Sequence, residues 1–174
     1  MNSSRLFKLI TMLGLIISTC MAYAQPESGF PDHFKRPSER LITGGQPSLE
    51  DLVKLKEAGV TKIINLRALD ENLPFDEKKE ANALGLEYVS FPIVGATDTT
   101  SANAKKLHEL IGDNNKVFLH CVSGNRVGAL LAIRAYEIED SSVEDSLAFG
   151  RAAGLGSLEE QVKSVLHNST APAR

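Results

Sequence analysis

Residues 116–128 read KVFLHCVSGNRVG. An apolar run ending at His120 is followed by Cys121, a short segment containing Gly124, then Arg126 and a helical pattern. A cysteine at the carboxyl end of a strand, just ahead of a helix N-terminus, lies where backbone N–H groups turn inward and form an anion-binding nest. Gly124 supplies the φ > 0 freedom, or the missing side chain, that such a curl requires. Arg126 offers a planar fork that grips two oxygens of a tetrahedral anion. The same donors favour a thiolate: a thiol near 8.5 is typically brought to about 3.5–7.5 at a helix N-terminus beside a guanidinium. The expected chemistry is nucleophilic attack by sulfur on a bound anion. The alternative is a buried bystander cysteine.

The surrounding sequence has to place that loop. From Arg40 onward, short apolar runs alternate with helical patterns. Leu41-Ile42-Thr43 reads as a first strand and Gly44-Gly45-Gln46-Pro47 as a turn. Ser48 then caps a helix with Glu50 and Asp51 in its first turn. The β-branched run 62–66 reads as a buried strand, 75–84 as a charged helix and 87–91 as another strand. Residues 92–99 form a loop, and Thr100 or Ser101 caps a helix running to Ile111. The strand 116–120 and a buried, Ala-rich helix over 127–137 follow. Ser142 with Asp145 and Ser157 with Glu160 mark two more helix starts. Strands alternating with helices predict an α/β fold: a central, mostly parallel sheet of four to five strands flanked by helices. In such a sheet ligands sit beyond the carboxyl ends of the strands.

The 174 residues suit one domain, expected over 40–167, with a polar tail over 168–174. Residues 25–39, with Pro26, Pro31 and Pro37, read as a flexible lead-in. Residues 1–24 read as a secretory signal: Arg5 and Lys8, an apolar stretch from Leu9 to Thr19, then the cleavage pattern Ala22-Tyr23-Ala24. Removing them takes two bases and no acid, so the net charge of −3 becomes −5. Cys20 leaves as well, and Cys121 stands alone in a compartment where cysteines are normally paired. The expected location is periplasmic or secreted, with no stable membrane insertion after cleavage. Mild acidity and the absence of Trp argue against a nucleic-acid partner. His33, His108 and His167 lack ligand spacing, so no metal site and no cofactor are expected.

HCVSGNR resembles the signature loop of the cysteine-dependent tyrosine and dual-specificity phosphatases. The wider pattern is similar to the bacterial beta-lactamase-hydrolase-like, phosphatase-like domain family, through LITGGQPSLEDL (41–52), KIINLR (62–67), GLEYVSFPI (85–93) and VFLHCVSGNR (117–126). The resemblance implies a tyrosine-phosphatase-like fold and hydrolysis of phosphomonoesters on a small molecule or protein. Cys121 would attack phosphorus to give a phosphocysteine. Arg126 and the amides of Val122, Ser123, Gly124, Asn125 and Arg126 would hold the phosphoryl oxygens, with no metal required. Two departures stand out. Four residues separate Cys121 from Arg126 where this class usually has five; four is the spacing of the rhodanese sulfurtransferase loop, whose cysteine carries a persulfide. Val127 replaces the usual Ser or Thr after the arginine. A sulfurtransferase and a non-catalytic oxyanion or phosphopeptide binder are therefore the alternatives.

Such a phosphatase also needs a general acid for the leaving oxygen. Asp98, on the 92–99 loop, is the candidate, against a turn-forming role. Asp70 and Glu71 come next, against being solvated charges. Arg67 would add positive potential at the sheet edge or hold an acidic neighbour. His120 is expected to orient the loop backbone, and Gln46 stands in a turn from which it could reach the cleft.

Overall fold

A computed structural model describes residues 31–169. The elements in chain order are β1 (Lys35–Ser38), β2 (Leu41–Gly44), α1 (Leu49–Glu57), β3 (Lys62–Asn65), α2 (Glu77–Ala83), β4 (Glu87–Ser90), α3 (Ser101–Ile111), β5 (Val117–His120), α4 (Asn125–Ile138), α5 (Val143–Ala152) and α6 (Glu159–Asn168). The expected signal segment 1–24 and the end of the tail, 170–174, lie outside the described residues.

The five strands pair in the order β1-β2-β5-β3-β4. The last four are parallel, and β1 joins antiparallel at the edge. Their register is level: Gly44 and Asn65 flank His120, and Ser90 lies beside Asn65. Four carboxyl ends thus meet one row, and the loops that follow open onto the same edge of the sheet. β2, β3 and β5 are buried throughout, as a sheet covered on both faces requires. On one face Leu52 and Leu55 of α1 and Ala81 of α2 pack with Ile42, Ile63 and Phe118. On the other, α3, α4, α5 and α6 cover Leu41, Ile64, Val117 and Leu119.

The helix starts follow side-chain capping. Ser48 and Asp51 form a reciprocal capping box on α1, Thr100 accepts from the Asn103 N–H on α3, and Ser142 from the Asp145 N–H on α5. Three expectations need correction. The lead-in expected over 25–39 contributes a strand: Lys35–Ser38 pairs with β2, which makes Leu41–Gly44 the second strand. An edge strand tolerates the missing donor of Pro37, so the proline did not exclude it. The expected helix over 75–84 is shorter, with Asp76 as its cap. Ser157 caps nothing; α6 starts after Leu158, and the Ser157 hydroxyl instead accepts from Asn125.

Candidate active site

The row of strand ends explains what converges at the loop after β5. Cys121 is buried directly beyond the strand, while Val122 and Ser123 are exposed and Gly124 is buried again. Gly124 has φ 88°, a conformation costly for any side chain. That turn swings its N–H back to 3.1 Å from the Cys121 Sγ.

Two neighbouring backbones press on the loop. Gln46 N–H donates to the Val122 carbonyl at 3.3 Å, and Gly45 bridges Ser123. A Cβ on Gly45 would stand 2.7 Å from the Val122 carbonyl oxygen, so the β2–α1 turn approaches at a distance only glycine permits. On the other side lies the α5–α6 turn. Asn125 accepts from the Gly156 N–H at 2.8 Å and the Leu158 N–H at 3.3 Å, and donates to Ser157 Oγ at 2.8 Å. The Asn125 side chain therefore clasps that turn, leaving its backbone to the start of α4.

Arg126 lies in the first turn of α4. Its Nη1 donates to Glu71 Oε1 at 2.5 Å and to the Ile93 carbonyl at 2.9 Å, and Nη2 donates to Glu71 Oε2 at 3.0 Å. A guanidinium has five N–H donors in a fixed plane. These contacts use its far end and one flank. Nε–H and the second Nη2–H, on the other flank, are the two-pronged edge left for an anion. Glu71 first, and the neighbouring Cys121 sulfur after it, hold the Arg126 pKa above its ordinary value. In return, the hydrogen bond from Arg126 leads in pulling the Glu71 carboxyl down to about 2, helped by the Ala68 N–H and the Arg67 charge.

Behind this pair runs a ladder of polar side chains. Arg67 Nε is 3.3 Å from Glu71 Oε2, and Arg67 Nη1 donates to Gln46 Oε1 at 2.7 Å. Gln46 Nε2 donates to Glu77 Oε2 at 3.0 Å. Glu77 Oε1 lies 2.8 Å from His120 Nε2, off the line of a straight hydrogen bond, and both side chains are wholly buried. The His120 ring stacks on Phe118 at 5.3 Å between centroids, with Nδ1 3.4 Å from the Cys121 carbonyl. The ladder therefore returns to the loop it started from.

Of the expected residues, the fold brings Cys121, Val122, Ser123, Gly124, Asn125 and Arg126 together as one loop. Glu71 is a partner of Arg126 rather than a solvated charge, and Arg67 takes the role of holding that acidic neighbour. Asp98 accepts from the Val94 N–H at 2.7 Å and so closes its own loop, the one that delivers the Ile93 carbonyl to Arg126. Sequence reasoning missed Glu77, which reads as an ordinary acid in a helix first turn; Gln46 does reach the site from its turn, where it links Arg67 to Glu77. Among the described residues no cluster of three or more His, Cys, Asp or Glu is arranged for a metal ion, and no helix is long and apolar enough to cross a membrane.

Known proteins share this arrangement of elements. The sequence pattern of the family described as "DSP-PTPase phosphatase fused to NAD+ Kinase" matches residues 24–168. The beta-lactamase hydrolase-like protein of Agrobacterium fabrum is 32% identical over 127 residues, covering 68% of this chain and 28% of that protein. The chain thus spans less than a third of that relative's length. A DUF442 protein of Shewanella putrefaciens CN-32, described as a candidate phosphatase, superposes with a TM-score of 0.64 at 17% identity, over 82% of this chain and 91% of that one. TpbA of P. aeruginosa, solved with pTyr, gives 0.60 at 13%, over 80% and 85%. The core of the PP-IP phosphatase SIW14 of S. cerevisiae, solved with citrate, gives 0.60 at 20%, over 76% and 85%. These three likenesses are of fold, which is tyrosine/dual-specificity phosphatase-like.

Proposed function

The chain belongs to the family of dual-specificity-type phosphatases described as fused to NAD+ kinase, and on that premise we propose that it hydrolyses phosphomonoesters through a phosphocysteine on Cys121. The observation that carries this reading is the open edge of Arg126 beside a buried sulfur that accepts from the Gly124 N–H. A phosphoryl group held on that edge, with its remaining oxygens on loop amides, presents phosphorus to the thiolate. The S–P bond forms as the P–O bond to the leaving group breaks, and the leaving oxygen takes a proton from the general acid. Water then attacks phosphorus as the S–P bond breaks and gives a proton to the carboxylate left by the first step, releasing inorganic phosphate and restoring both the thiolate and the general acid. Charge developing on the equatorial oxygens is met by donors already fixed in place, where preorganisation has most effect.

Asp98 is the general acid in this reading. An Asp98→Asn variant keeps an acceptor for the Val94 N–H and so keeps the loop closed. It should lower kcat for esters of poor leaving groups by roughly 100-fold while sparing those of good ones. Equal losses on both would assign Asp98 a structural role only.

The enzymatic reading is tested with a generic aryl phosphate. Wild type should turn it over in a vanadate-sensitive reaction, and Cys121→Ser should abolish turnover without moving the melting temperature beyond a degree or two. The four-residue spacing between Cys121 and Arg126 favours one second reading, sulfur transfer. Cyanide-dependent consumption of thiosulfate, with a persulfide on Cys121 and no phosphate release, would replace the phosphatase reading. The site of action is proposed to be periplasmic or extracellular after loss of residues 1–24. N-terminal sequencing of the exported protein should begin at Gln25.

A further inference from the structure

The rim of the site differs in character from its floor. Among the described residues seven large hydrophobic side chains are exposed, and four of them stand on the loops that converge on Arg126. Leu69 (86% exposed) lies between Ala68, whose N–H binds Glu71, and Glu71 itself. Leu73 (39%) follows Asn72, whose carbonyl binds Arg67. Val94 (59%) follows Ile93, whose carbonyl binds Arg126, and Val122 (51%) follows Cys121. Each is therefore within two residues of a group that touches the ladder. Scattered exposed aliphatics need no explanation, but a cluster around an anion-binding floor marks a contact surface.

Charge on the same loops points the same way. Their bases are Arg67 and Arg126, and both are turned onto Glu71. Against these two stand four carboxylates, Asp70, Glu71, Asp76 and Asp98, and residues 66–76, 91–100 and 121–126 contain no lysine. One phosphoryl group is matched by the open Arg126 edge and the loop amides. A second or third phosphate on the same substrate would meet acids and aliphatics, without a cation to receive it.

We infer that the substrate is a phosphomonoester carrying a single phosphate on a compact, uncharged apolar body, and that Leu69 and Val94 determine that preference by covering the body while the loop holds the phosphate. The inference rests on the phosphatase reading and narrows its substrate class. A polyphosphorylated polyol is the class it excludes.

The experiment compares naphthyl phosphate with phenyl phosphate, two esters whose leaving groups have similar acidity and differ mainly in apolar area, with inositol hexakisphosphate as competitor. Wild type should favour naphthyl phosphate by roughly ten-fold in kcat/KM, through KM. Leu69→Ser and Val94→Ser, both at exposed positions, should each lower that ratio roughly three-fold with the melting temperature unchanged. The hexakisphosphate should inhibit no better than inorganic phosphate. A naphthyl-to-phenyl ratio near one, a ratio that both variants leave unchanged, or tenfold tighter inhibition by the hexakisphosphate would overturn this inference while the phosphatase reading stands. Turnover of neither ester would overturn both.

Discussion

At the scale of single residues, Glu71 decides which part of Arg126 can work. By taking the far end of the guanidinium through two hydrogen bonds it leaves the other edge for the anion of the proposed reaction. Glu71→Gln keeps the shape and removes the charge. It should cost about 1.5–3 kcal/mol of stability, the range for a hydrogen bond to a charged group, and lower kcat/KM by roughly 10-fold or more as the fork loses its fixed direction. The pH dependence follows from the depressed Glu71 pKa, about 2 against an ordinary 4.5. A carboxyl whose folded pKa is lowered contributes stability that is complete above about 4.5 and lost as pH falls through about 2. Urea unfolding of wild type and Glu71→Gln should therefore show a constant gap from pH 5 to 8 that closes on acidification below pH 4.5. A gap that changed between pH 6 and 8 would mean another group is responsible.

Residue identity made the candidate loop legible in the sequence, because His120, Cys121, Gly124 and Arg126 lie within seven positions and their meaning is local. The ladder behind them was legible only as separate candidates, Gln46, Arg67, Glu71 and His120, and neither their connection nor Glu77 could be read. Gln46, Arg67, Glu71, Glu77 and His120 come from four separate stretches, and only the level register of β2, β3 and β5 brings them together. A buried glutamate such as Glu77 has no sequence mark that separates it from a solvated one.

At the scale of elements, the loop leads into α4, whose backbone packs closely against α5 and the turn that follows it. A Cβ on Gly128 would stand 2.1 Å from the Leu155 backbone nitrogen and 2.6 Å from the Gly150 carbonyl oxygen, atoms that cannot swing aside. Gly128→Ala should therefore destabilise by about 1–3 kcal/mol or more as an overpacked site, seen as a lower urea midpoint with unchanged m. It should also lower activity, because the displaced α5–α6 turn is the one Asn125 holds. Asn125→Ala removes the three hydrogen bonds of that clasp and should reduce kcat more than KM if the turn positions the loop. Boundaries of these elements were legible where a capping side chain announces them, as at Ser48, Thr100 and Ser142. They were not at α6, whose start is set by the Asn125 clasp, or at β1, whose polar sequence KRPS lacks a strand's alternation and is recruited by the open edge of β2.

At the scale of the whole molecule, a net charge of −3 gives no long-range attraction for an anion, so affinity has to arise at contact. Inorganic phosphate at 100 times its Kd should stabilise the protein by about 2.7 kcal/mol, read as a rise in Tm of several degrees. Arg126→Ala should remove that rise. Stabilisation undiminished in Arg126→Ala would place the anion elsewhere.

The loop proposed to cradle the anion is shaped almost entirely by main chain. Gly45 abuts the Val122 carbonyl, Gly154 approaches the Gly124 carbonyl, and Gly124 folds its own N–H onto sulfur. The side chains at positions 122 and 123 point out and take no part in that support. They are thus open to replacement: a library randomised at those two codons should retune substrate preference in the laboratory with folding kept, since both side chains are exposed.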